Sequence, residues 1–268
     1  TMNPFAEQKH GGAAGKLSTA HMTHTFSLLV PWKKHYNEHP EYFALIKGER
    51  VGGPMSQLCL TNPDVLKIAT SNVLKWFDQQ PDVMSMGIVP NDVDGYCECE
   101  DCKKFEEKHG GVHSAPIIAF CNKIAQEVVK KYPDKYVHTI AYTYYLEPPK
   151  DLTIHPNVIV VACDMYPHCH DNHPIGKHKS TLKYVTCLKE WIEMCESVLV
   201  WQYAVDFIHF NLTPFPNLKS LCKNVKIYKG LGVQGILFQA DTQPGVCGEF
   251  SVLKNWVLNK VMWDCSLD

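Results

Sequence analysis

The stretch 157-NVIVVACDM-165 is apolar without a break from Val158 to Cys163 and then ends in an acid. A half-exposed strand would alternate. A continuous β-branched run of this length suits a strand covered on both faces, as in a parallel sheet. Working outward, runs of the same kind recur: His24–Val30, Ser56–Leu60, Met84–Val89, Val137–Tyr145, Ser197–Tyr203 and Val233–Ala240. Segments of helical period separate most of them. Asn62-Pro63-Asp64 reads as a cap, a first-turn proline and a first-turn acid, followed by Leu66, Ala69, Val73 and Phe77. Ser114 is the expected cap of a helix whose face is Ile117, Cys121, Ile124 and Val128. Ser180 starts another, and Leu218–Tyr228 and Phe250–Trp263 supply two more. After Val137–Tyr145 comes the proline-rich loop LEPPKD.

Repeated βα units at this rhythm predict an α/β fold, a TIM-like (β/α)8 barrel lacking its first strand in this chain. That strand is expected before residue 1, because the His24 run already follows a glycine-rich loop. No low-complexity linker interrupts the chain, so residues 1–268 are expected to form a single barrel domain. An open doubly wound sheet is the alternative, but no G-x-G-x-x-G follows a strand.

Bulk composition narrows the function. The chain is 45% hydrophobic, and its 26 basic and 28 acidic side chains are mixed, for a net charge of −2. No basic stripe points to nucleic acid, and no apolar run has the roughly 18–20 residues of a membrane span. The N-terminus lacks the layout of a signal peptide, which leaves export open.

In such barrels chemistry sits at the C-terminal ends of the strands. That rule nominates Asn91 and Asp92; Tyr142, Tyr144 and Glu147; Asp164 and Tyr166; Trp201, Gln202, Tyr203 and Asp206; and Gln239, Asp241 and Glu249. His24, opening its run, is placed at the opposite rim. Flat aromatics with carboxylates and amides suit a sugar. Glycosidic cleavage needs one acid to protonate the leaving oxygen and a second group to attack or stabilise the ring carbon. With a 2-acetamido sugar, the substrate's own carbonyl can attack. Each acid also has a bland reading as a solvated loop residue, which suits Asp94 and Glu100, and Trp201 fits a core equally well.

The chain has 12 cysteines. Cys59, Cys121, Cys187 and Cys195 sit in apolar periodic segments and read as small buried hydrophobes, a usage that suits a reducing compartment. Cys97-x-Cys99-x-x-Cys102 offers three thiolates, and a structural zinc wants a fourth ligand. Cys169 is the candidate, with His168, His170 and His173 beside it. A Cys97–Cys102 or Cys99–Cys102 disulfide, or free thiols, remain open. A catalytic metal on His168, Cys169 and His170 is a further alternative, although no H-E-x-x-H is present. Nor is there a Gly-x-Ser-x-Gly elbow.

The ordered series HTFSLLVP, HPEYFALIKGER, QLCLTNPDV, NDVDGYCECEDC, TIAYTYYLEPP, VIVVACDMYPHC, VLVWQYAVDF, GVQGILFQAD and LKNWVLNKVMWD resembles a bacterial family. It is domain of unknown function 4838, also called glycoside hydrolase family 163. The resemblance implies a TIM-like barrel and an endo-β-N-acetylglucosaminidase that cuts the core of complex N-glycans with retention. It suggests an exported protein acting on an oligosaccharide or glycoprotein glycan, with no cofactor required for catalysis. It matches Asn91 and Asp92 to the Asn-Asp ending the family's fourth barrel strand, and Tyr142, Trp201 and Tyr203 to its strand-end aromatics. Two departures accompany it. The first strand and the accessory domains usual to the family are expected to be missing from this chain, and Gln202 stands where an acid is expected. The expected function is therefore a glycoside hydrolase with Asp92 as general acid or acetamido-orienting group and Asn91 assisting. Asp164, Asp206 and Glu249 are reserve carboxylates. His24, Tyr142, Tyr144, Trp201, Gln202 and Tyr203 line the sugar site. A non-catalytic glycan-binding barrel and a metal-dependent hydrolase are the competing classes.

Overall fold

A computed structural model describes residues 21–164, 173–204, 216–239 and 251–264. In chain order the elements are α1 (Phe26–Leu29), α2 (Trp32–His35), β1 (Leu45–Ile46), β2 (Glu49–Arg50), α3 (Pro63–Gln79), β3 (Ser85–Gly87), α4 (Glu100–Lys108) and α5 (Ser114–Lys131). There follow β4 (Tyr136–Ala141), β5 (Val158–Asp164), α6 (Lys179–Met194), β6 (Val198–Tyr203), α7 (Leu218–Leu231), β7 (Gly235–Gln239) and α8 (Ser251–Trp263).

Five strands order as β3-β4-β5-β6-β7, the same as their order in the chain. The β3–β4 and β6–β7 pairs are parallel. This is the winding of a (β/α)8 barrel; a doubly wound sheet would reverse direction at a switch point. All seven residues of β5 are buried, as its unbroken apolar run demands. After β4 the chain makes only a 3-10 turn at Thr143–Tyr145, in keeping with the proline-rich loop.

The described residues fall into two compact units. One runs through Val160 and adds Met194–Glu196; the other takes Val161–Glu193 and what is described of Ser197–Asp268. In the first, α3 and α5 pack together. Val65, Ala69, Val73 and Phe77 are buried on one helix, and Ile117, Cys121, Ile124 and Val128 on the other. Asn62 caps α3, its Oδ1 accepting from the N–H groups of Asp64 at 2.9 Å and Val65 at 3.3 Å. In the second unit Tyr184, Leu188 and Trp191 of α6 are buried, and Leu221 of α7 packs with Ala204, Leu258 and Phe238. Gly232 ends α7 in the left-handed region, donating to Lys229, while Val233 N–H reaches back to the Tyr228 carbonyl at 3.0 Å.

Several expectations need correction. His24–Val30 is not a strand. Thr25, helical in its own backbone, ties the segment to the chain beyond β3: its N–H donates to the Val89 carbonyl at 2.9 Å. The Thr25 hydroxyl accepts from Val89 N–H at 2.9 Å and donates to the Gly87 carbonyl at 2.9 Å. The chain then turns into α1, because Phe26 and Leu29 must point inward together. Just upstream, Gly87 N–H donates to the His21 carbonyl at 2.7 Å. That approach is close enough that a Cβ on Gly87 would lie 2.5 Å from the His21 oxygen. Ser56–Leu60 is likewise no strand; it makes a single antiparallel bridge, Phe43 to Leu58. Ser114 is the first helical residue of α5 and not its cap; its hydroxyl donates to the Glu147 carbonyl.

Candidate functional site

Asn91 and Asp92 lie four and five residues beyond the end of β3, and they face different environments. Asn91 is 2% exposed. Its amide nitrogen donates to the Ser56 carbonyl at 2.7 Å. Its backbone N–H donates to Gln57 Oε1 at 3.1 Å, and its carbonyl accepts from Gln57 Nε2 at 2.8 Å. Gln57 therefore clips the chain with both ends of its amide. Asn91 Oδ1 is buried without a hydrogen-bond partner among the described residues. Asp92, by contrast, is exposed.

His24 lies beside this pair. Its Nδ1 is 2.9 Å from the Pro90 carbonyl, which places it next to Asn91 and corrects its expected position at the opposite rim. Tyr142 is buried, and Tyr144 is half-buried with its hydroxyl accepting from Gln57 Nε2 at 3.3 Å. Burial, and then the nearby carboxylates of Asp94 and Glu106 and the phenol of Tyr96, push the Tyr144 phenol above its ordinary range. Tyr96 stacks on His113 with ring centroids 3.5 Å apart, and Tyr144 stands 5.7 Å from Tyr96. His113 in turn lies 3.0 Å from the Glu106 carboxylate. Gln57, Tyr96, Glu106 and His113 line one pocket with Tyr144 and Pro90. None of those four was nominated from the sequence, because none ends a strand; Tyr96 and His113 carry the aromatic character that could have flagged them.

A second polar group sits in the other unit, at the ends of β5 and β6. Asp164 and Gln202 are 2% and 4% exposed. Gln202 Nε2 donates to Asp164 Oδ2 at 2.7 Å. Gln202 Oε1 accepts from Asn224 Nδ2 and from the Tyr228 hydroxyl, each at 2.9 Å. These partners fix which end of the amide is which. Burial first, and then the neighbouring Tyr184 and Asp164, hold the Tyr228 phenol well above its ordinary range, so it donates as a neutral hydroxyl. Tyr203 is buried. Trp201 is half-buried, and its indole N–H donates to Gln239 Oε1 at 3.0 Å. Tyr166, Asp206, Asp241, Glu249, His168, Cys169 and His170 lie outside the described residues.

Cys169, the expected fourth metal ligand, lies outside the described residues, and among those described a different fourth thiol joins the three of the loop. Cys59, Cys97, Cys99 and Cys102 come together, with all four sulfurs within 4.8 Å of one another. Cys59, expected as a small buried hydrophobe, is buried, but against the other three thiols. Its sulfur is 3.7 Å from that of Cys99. All four are free thiols, so neither disulfide considered for this loop is formed. As bare thiols they share protons. Hydrogen bonds from Cys102 and Cys97 hold the Cys59 thiol far below its ordinary value, and the bonds to Cys59 and Cys97, with burial, push Cys102 far above it.

Comparison with known proteins places the chain. The family described as domain of unknown function (DUF4838) matches residues 2–268. No curated protein matches in sequence. Among solved structures, the lactosyl-enzyme intermediate of endo-glycoceramidase II from Rhodococcus sp. aligns with a TM-score of 0.46 at 11% identity, over 74% of this chain and 46% of that one. The iminocyclitol complex of the same Rhodococcus sp. enzyme aligns at 0.44 and 12%, over 74% and 46%. A further structure of it aligns at 0.44 and 12%, over 87% and 49%. The chain spans about half the length of these structures.

Proposed function

The chain belongs to the DUF4838 family, and from that premise we propose that it is a glycoside hydrolase acting as an endo-β-N-acetylglucosaminidase on N-glycan-type chains. The observation that carries this reading is the division of labour after β3. Asn91 is locked by Gln57 and Ser56 with one buried acceptor oxygen left over, while the adjacent Asp92 carboxylate reaches solvent. An acetamido N–H is a donor that Asn91 Oδ1 could accept. Holding that N–H would orient the acetamido carbonyl toward the anomeric carbon, and Asp92 would deliver the proton to the leaving oxygen. Tyr96, His113 and Tyr144 supply aromatic surface for the sugar ring beside it. In this scheme the substrate's carbonyl is the nucleophile, the configuration is retained, and no cofactor takes part.

The test is incubation of the folded chain with a complex-type N-glycoprotein, read by mass spectrometry. Release that leaves one N-acetylglucosamine on asparagine is the expected result. No release from folded protein would overturn the endo-hydrolase reading.

A non-catalytic glycan-binding module is the second reading, favoured by Gln202. An amide occupies the position where an acid is expected, and it is hydrogen-bonded to Asp164, Asn224 and Tyr228. It predicts glycan affinity by calorimetry without turnover, unchanged by Asp92→Asn.

A further inference from the structure

We propose that Cys59, Cys97, Cys99 and Cys102 form a tetrathiolate zinc site that ties the loop after β3 to the segments around the β1–β2 hairpin. The proposal stands on the geometry of the four thiols and does not depend on the glycosidase reading.

The separations fit a single ion. Four thiolates at about 2.3 Å from a tetrahedral zinc stand about 3.8 Å apart. Cys59 and Cys99 are 3.7 Å apart, and all four sulfurs fall within 4.8 Å of one another. Disulfides would bring pairs to about 2.05 Å, which no pair here approaches. A two-iron cluster would divide the thiolates into two pairs on opposite sides, whereas these four share one centre. Sulfur ligands in a tetrahedron select zinc or a lone iron, and the closed set leaves no open position for catalysis.

The surroundings are those of thiolates. Leu45 N–H donates to Cys97 Sγ at 3.4 Å, and the Thr61 hydroxyl lies 3.2 Å from Cys102 Sγ. The Arg50 guanidinium lies 3.7 Å from Cys97 Sγ, held there by the carbonyls of Phe43 at 2.7 Å and Glu41 at 3.3 Å. Zinc with four thiolates carries two net negative charges, and a half-buried guanidinium offsets one of them.

The local fold also needs the ion. The buried members of this small core are Ala44, Cys59, Cys97 and Cys102, and only the part-buried Leu45, Ile46 and Cys99 pack against them. Around it run two strands of two residues each, β1 and β2, and an irregular loop. Glu98 N–H donates to the Leu45 carbonyl at 2.7 Å, so the loop already lies against the hairpin. So little apolar burial holds such segments weakly, and a metal is the usual substitute. The loop it fixes, between β3 and α4, carries Asn91 and Asp92.

The experiment is elemental analysis of the whole chain purified under reducing conditions, with mass-spectrometric mapping of the thiols. One zinc per chain is expected. It should be lost in Cys59→Ser and Cys99→Ser and kept in Cys222→Ser, whose thiol lies on α7. Because the first two variants could fail to fold, the unaltered chain is also stripped with chelator and titrated with cobalt(II). The intense visible bands of a tetrahedral thiolate complex should appear at one equivalent. Arg50→Gln should keep the stoichiometry and weaken zinc roughly 10- to 100-fold. Iron in place of zinc, a disulfide within the four, zinc retained in Cys59→Ser, or no cobalt bands from folded reduced protein would each overturn the proposal.

Discussion

The end of β3 and the ends of β5 and β6 each carry an acid beside an amide, and the two pairs are built in opposite senses. After β3 the amide is buried and the acid is free: Asn91 is clamped by backbone groups and Gln57, and Asp92 is exposed. At β5 and β6 the acid is itself buried, bonded to Gln202, which Asn224 and Tyr228 hold in turn. A carboxylate meant to exchange a proton with a substrate must be reachable. One sealed in a network of fixed donors contributes to specifying the local structure. Position at a strand end is thus not enough to assign a role; what touches each atom decides it.

The largest effect should come from removing the free acid. Asp92→Asn is expected to lower glycan release about 100- to 10,000-fold. Its melting temperature should be unchanged, since the side chain is exposed and takes part in no hydrogen bond or ion pair among the described residues. A variant with full activity would break the contrast at once.

Acid should weaken the β3 region. His138 is buried beside β3. Its Nε2–H donates to the Met22 carbonyl at 2.9 Å, and its Nδ1 accepts from the Ser85 hydroxyl at 2.8 Å. This is the neutral ring, and burial lowers its pKa to about 4, partly offset by the bond to Met22. Between about pH 6.5 and 4 the unfolded chain takes up a proton that the folded chain refuses, so stability falls as pH falls through that window. The loss approaches about 3 kcal/mol below pH 4. Denaturant titrations across this range should show the slope, and His138→Gln should flatten it.

The β5–β6 region should respond to the opposite pH change once altered. Gln202→Glu places a carboxyl 2.7 Å from Asp164, where the amide now donates. One proton shared by the two acids restores the bond; two charges there repel. The folded pKa of the pair is then raised above the ordinary value near 4.3, so stability is kept at low pH and lost as pH rises above that value. The cost at neutrality is about 1–3 kcal/mol, read by melting temperature at paired pH values. A variant insensitive to pH would show that the site is looser than its hydrogen bonds imply.

Legibility followed the range of the interaction. Val158–Asp164 and Val198–Tyr203 could be read because burial on both faces writes itself as a continuous apolar run. The α3 cap could be read because its partners are two and three residues away. The β1–β2 hairpin escaped notice: two-residue strands have no period, and its one local sign is Lys47-Gly48, both at positive φ. Glu100–Lys108 was missed as a helix because its charged sequence offers little apolar face. His24–Val30 misled because an apolar run of that length serves a strand or a short buried helix alike.

The candidate site shows the same limit. Asn91 and Asp92 were visible as the polar end of an apolar run, but their opposite exposures were not. Gln57 lies far from Asn91 in sequence and inside a run that read as a strand. Cys59 sits in that same run, where a thiol looks like any small hydrophobe. By itself the sequence determined the βα rhythm, the buried strands, the acids at their ends and the C-x-C-x-x-C loop, because each is set by neighbours within a few residues. Only the tertiary structure decided that Cys59 completes the thiol cluster, that Gln57 locks Asn91, and that Gln202 seals Asp164. Those choices depend on which distant segments meet, and no local spacing encodes that meeting.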